Sequence, residues 1–89
     1  MKKSDRVLNS IEKATLMSLF AEVGFSIHAH VSLNSIQRHF PKALRGFCGK
    51  AVKDLVKHGY IVKHPTRGSM TYSLSPEGIL KVKETLGEA

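Results

Sequence analysis

Acidic residues are scarce in this chain, and scarcest in its middle. The 89 residues include 14 Lys or Arg against 7 Asp or Glu, for a formal net charge of +7. From residue 23 to residue 76 the only acid is Asp54, set against Arg38, Lys42, Arg45, Lys50, Lys53, Lys57, Lys63 and Arg67, so this segment holds the whole excess. A one-sided field of that kind suits a polyanion, of which the phosphate backbone of a nucleic acid is the commonest. A basic surface that merely faces water is the plainer alternative.

Cysteine is almost absent. Cys48 stands alone, which excludes an internal disulfide, and its apolar neighbours suggest a buried, inert thiol and a cytoplasmic setting. Long apolar runs are missing too: none approaches the ~18 to 20 residues of a membrane span. The start, Met1-Lys2-Lys3, continues into polar residues and not into the apolar core of an export signal. There is no P-loop, no Gly-x-Gly-x-x-Gly, no Gly-x-Ser-x-Gly and no paired carboxylate, so nothing argues for an enzyme or a cofactor. Five histidines are present, and His28 and His30 would share one side of a strand. Two ligands fall short of the about three or four that a zinc site needs, and no metal is expected. With no repeat or low-complexity tract, the chain is expected to form one domain over residues 1–89, burying roughly 60% of its unfolded surface. Such a domain leaves no room for a large small-molecule pocket.

What is there begins with polar residues 1–8, expected to be a flexible arm. Asn9-Ser10-Ile11-Glu12 has the order of a capping box, so a helix should start near Ser10. Leu16, Leu19, Phe20 and Val23 give its apolar stripe, and Gly24 ends it. Phe25, Ile27, Ala29 and Val31 then alternate with polar residues, which predicts a half-exposed strand. Ser32 can cap a second helix with Leu33, Ile36 and Phe40 on its apolar side, interrupted at Pro41.

A third helix is predicted over 43–58. Phe47/Cys48, Ala51/Val52 and Leu55/Val56 recur at three-and-four spacing, with Lys50, Lys53 and Lys57 between them. One face should pack and the other should be cationic. Gly46 and Gly49 cost about 0.8 to 1 kcal/mol each against alanine inside a helix; a later helix start or a close approach of phosphate would account for them. His58-Gly59 closes the helix. Tyr60–His64 and Met70–Leu74 read as a hairpin turned by Gly68, with Arg67 at the tip and with Tyr60 and Tyr72 expected to stack across the hairpin sooner than on bases. Ser75-Pro76-Glu77 starts a last helix, whose Ile79, Leu80, Val82 and Leu86 should pack on helix 1 or on a second subunit.

The resulting order, α-β-α-α-β-β-α, is an α+β arrangement of the winged helix-turn-helix kind. The run from Gly49 to Ile61, with the strand, turn and strand after it and Leu74-Ser75-Pro76-Glu77-Gly78, resembles winged helix-turn-helix regulators of the MarR-like and archaeal transcription-factor type over nearly the whole chain. The resemblance implies a third helix in the DNA major groove, a hairpin wing on the neighbouring minor groove or backbone, and often a homodimer. It places Cys48, Val52 and Leu55 in the core and Arg45, Gly46, Gly49, Lys50 and Lys53 on the DNA face. The expectation is therefore a double-stranded DNA-binding regulator. Arg45 and Lys50 would read bases, while Lys42, Gly49, Lys53, Lys57, Lys63 and Arg67 would meet the backbone. An RNA-binding, replication or mobile-element protein of the same fold, and a protein-interaction module, are the alternatives.

Overall fold

The computed structural model describes residues 7–87. It contains α1 (Ser10–Val23), β1 (Val31–Ser32), α2 (Leu33–Gln37), a 3-10 turn (Lys42–Leu44), α3 (Arg45–Lys57), β2 (Ile61–Pro65), β3 (Met70–Leu74) and α4 (Pro76–Gly87). The strands form one antiparallel sheet in the order β1-β3-β2. α1 lies at the centre and touches all the other helices. No described helix is long and apolar enough to cross a membrane.

Local chemistry sets most of the boundaries. At the start of α1 the Glu12 amide donates to the Asn9 side chain at 2.8 Å, and the Asn9 amide donates to the Glu12 carboxylate at 3.0 Å. Two otherwise orphaned donors are thus satisfied reciprocally. Ser32 caps α2 by accepting from the Ser35 amide. α3 ends with Gly59 at φ 85, a left-handed conformation that glycine adopts freely. There the Tyr60 amide reaches the Leu55 carbonyl at 2.9 Å and the Gly59 amide reaches Val56 at 3.1 Å, the paired bonds of a Schellman closure. Ser75 then joins α3's end to α4: its hydroxyl donates to the Gly59 carbonyl and accepts from the Gly78 amide. α4 lies so close to residue 60 that a side chain at Gly78 would collide with the Tyr60 carbonyl.

Leu16 and Leu19 of α1, Ile36 of α2, Cys48, Val52 and Leu55 of α3, Ile61 and Leu74 of the sheet and Val82 of α4 meet in one core, with Phe40 and Tyr60 beside them. Burying each such aliphatic side chain is worth about 1.5 to 3 kcal/mol. Burial raises the Cys48 thiol above its ordinary value of 9.0, against a smaller opposing effect from a hydrogen bond with Thr15. A neutral thiol is the form a dry core favours.

Several sequence expectations are corrected. Of the supposed arm, residues 1–6 lie outside the described residues, but Leu8 is buried in the core at 5% exposure. The alternating run 25–31 is not a strand: only Val31 and Ser32 pair, with Tyr72 and Thr71, and Phe25 to His30 are exposed. The α-helical part of the third helix starts at Arg45, after the 3-10 turn, and includes both Gly46 and Gly49. Tyr60 does not stack on Tyr72; it is fully buried, and its hydroxyl has no hydrogen-bond partner among the described residues. Gly68 does not take a positive φ. Thr66 closes the tip instead, its amide and hydroxyl both reaching the Ser69 carbonyl at 2.7 Å.

Candidate nucleic-acid interface

α3 divides its residues cleanly by direction. Cys48, Ala51, Val52 and Leu55 are buried. At 3.6 residues per turn the positions opposite that arc are 46, 50, 53 and 57, and these are Gly46, Lys50, Lys53 and Lys57, all exposed. Lys50 and Lys53 belong to no ion pair within the described residues. The helix therefore presents a line of free ammonium groups that ends, toward its start, in bare backbone.

Two hollows flank that line. On one side, between α3, α2 and β3, a cleft of about 370 Å³ is lined by Gln37, Gly46, Gly49, Lys50, Lys53 and Tyr72. No acid lines it, so it suits phosphate. On the other side a smaller hollow of about 200 Å³ lies between Ile11 and Glu12 of α1 and Phe47, Lys50, Ala51 and Asp54 of α3. The Asp54 carboxylate there disfavours phosphate, while that of Glu12 is buried and taken up in the α1 cap. Lys50 is the crest between the two.

The other expected contacts are spread out. Arg45, first residue of α3, is exposed and opens on a third hollow with Asn34, Gln37 and Arg38, away from Lys50. Gln37 anchors the helix start by donating to the Arg45 carbonyl at 2.9 Å. Lys42 is exposed on the 3-10 turn, and Lys57 on the last turn of α3. Arg38, one of the basic residues of the middle segment, pairs with Glu22 at 3.0 Å. Phe47 departs most from expectation: assigned to the packing face, it is 58% exposed. Its angular position, about 90° from the centre of the buried arc, was the available signal.

No protein-family model and no curated protein matches the chain. Solved structures do. The chain is similar to a Type III plasmid segregation TubR with a TM-score of 0.63 and 19% identity, over 93% of this chain and 89% of that one. It is also similar to a possible transcriptional regulator for arsenical resistance, at 0.54 and 20%, over 92% and 84%. The fold is a winged helix-turn-helix. Its helix-turn-helix is α2 and α3, and its wing is the β2–β3 hairpin.

The wing has two chemically distinct faces. Lys63 sits opposite Tyr72, which in turn pairs with Val31, so these three share the face that turns toward the helices. Arg67 is exposed at the tip. On the reverse face His30 and His64 stack with ring centroids 5.0 Å apart. Thr71 donates to the His64 carbonyl at 2.7 Å and therefore accepts from His30 Nδ1 at 2.8 Å, while His64 Nε2 meets the Ser73 hydroxyl at 2.8 Å. His30 is thus tied to the wing and does not stand with His28 on a strand. Among the described residues no three His, Cys, Asp or Glu side chains gather as a metal site would require.

Proposed function

We propose that the protein is a single-domain, cytoplasmic, sequence-specific binder of double-stranded DNA, acting as a small regulator and not as an enzyme. The observation that carries this reading is the unpaired basic line Lys50, Lys53 and Lys57 directly opposite the core face of α3, next to an acid-free cleft. α3 enters the major groove and the wing lies on the neighbouring backbone. Arg45 and Lys50 read base edges; Lys42, Lys53, Lys57, Lys63 and Arg67 neutralise phosphates, and Gly49 lets a strand approach the helix. Phosphate contacts hold the duplex whatever its sequence, and base contacts discriminate. The names of the two fold neighbours, plasmid segregation and transcriptional regulation, belong to processes that a duplex-binding winged helix serves equally well. We further propose that the protein acts as a homodimer through the outward side of α4.

Titration against duplex DNA, single-stranded DNA and RNA at two salt concentrations tests the reading. Five phosphate contacts give a slope of log affinity against log salt of about −4 to −5 per protomer on duplex. A flat response overturns nucleic-acid binding, and a preference for RNA or single strands overturns the duplex assignment.

A further inference from the structure

Phe47 is the only large apolar side chain of α3 left in the open. More than half of its surface faces water. It stands beside Lys50 on the hollow that Asp54 lines, where a phosphate is unwelcome but an uncharged base edge is not. The acid-free cleft on the other side of Lys50 takes the strand's phosphates. The two sides of the helix thus sort a duplex into backbone and bases by charge alone.

Gly46 and Gly49 set how near the duplex comes. A Cβ at Gly46 would meet nothing within 4 Å, and one at Gly49 only Gln37 Nε2 at 3.6 Å. Neither has a positive φ. Glycine at these positions is therefore demanded neither by packing nor by backbone conformation, though it weakens the helix. Both glycines line the cleft on the far side of Lys50 from Phe47, and without side chains there the groove can close on the helix until a short, rigid ring on the other side reaches its floor. The apolar group waiting there is the C5-methyl of thymine, which no other base carries.

We propose that Phe47 is a base-reading residue that packs its ring on a thymine methyl in the major groove. This rests on the duplex-binding reading above, and the experiment separates the two. Duplexes enriched from a random pool by the wild-type protein define the preferred site. Each thymine in it is then replaced by deoxyuridine, which removes the methyl group and leaves every hydrogen-bonding group in place. Wild type should lose about fourfold in affinity at one thymine per protomer, the equivalent of one buried methyl group. Phe47→Ala should bind the thymine and uridine duplexes alike, bind random duplex as wild type does, and keep its thermal midpoint and sedimentation behaviour. Gly46→Ala should raise the midpoint by about 4 to 8 °C while weakening the preferred duplex. Uridine tolerated at every position, a uridine penalty that persists in Phe47→Ala, or a changed oligomeric state in that variant overturns the role of Phe47 and leaves duplex binding standing. Enrichment of no sequence, or no binding to duplex at all, overturns the parent reading and this inference together.

Discussion

Lys50 and Arg67 carry the same charge in surroundings that give it different work. Lys50 stands on a rigid helix between an acid-lined hollow and an acid-free cleft, opposite the core. Lys50→Ala should therefore cost about 1 to 3 kcal/mol on the preferred sequence and much less on random DNA, measured by competition binding. Arg67 sits at an exposed turn held by Thr66 and Ser69, where phosphate is the nearest partner. Arg67→Ala should weaken both duplexes alike and reduce the salt slope by about one. Glycines divide in a similar way. Gly78→Ala forces a Cβ into the Tyr60 carbonyl and against Leu74, so it should destabilise by about 1 to 3 kcal/mol and lower the thermal midpoint. The opposite sign expected for Gly46→Ala follows from the open space around it.

Between elements, the contact most sensitive to solution conditions ties α1 to the segment after α2. Glu22 accepts from His39 Nε2 at 2.8 Å and from Arg38 at 3.0 Å, and these bonds, that of His39 first, hold its carboxyl below the ordinary value of 4.5. A carboxyl depressed in the folded state adds stability that is complete above the unfolded value and is lost as pH falls through the folded one. Glu22→Gln should accordingly be less stable than wild type at pH 7, and the difference should vanish as pH drops below 4.5 toward the folded value. Thermal unfolding across that range measures it; a difference independent of pH would show that the clamp is not ionic. Element boundaries were legible in the sequence because caps are local: the Asn9/Glu12 box, Ser32, Gly59 and Ser75 each act within a few residues. The strand expected over 25–31 failed because alternation makes a strand only where a partner's backbone pairs with it, and of that run only Val31 pairs with β3. The lysine line was legible from its phase against Cys48, Val52 and Leu55. The cleft was not, since Gln37 and Tyr72 come to it from distant parts of the chain. Phe47 and Tyr60 were misplaced because residue type was read in place of angle and depth.

At the scale of the whole molecule the extents are 35 × 29 × 22 Å, so on the proposed duplex one copy would span about one helical turn, the roughly 34 to 36 Å that separates two half-sites. Reading a longer sequence requires two copies. In the proposed dimer α4 would supply the surface for pairing: Val82 is buried and Ile79 packs against the core, which leaves Leu80 and Leu86 at 54% and 46% exposure. Phe25 adds to this side, half-exposed, leaning on Phe20 at 4.7 Å with the Lys83 ammonium 5.6 Å from its ring. Apolar side chains of that size, on a helix that carries none of the basic line, favour a second copy over water. Sedimentation at tens of micromolar should give a dimer, and Leu80→Glu with Leu86→Glu should give a folded monomer, because neither residue belongs to the core. The dimer should prefer a palindrome and show about twice the salt slope of the monomeric variant on a single half-site. A wild-type protein that stays monomeric under these conditions would remove the pairing role of α4 and restrict recognition to one site per molecule.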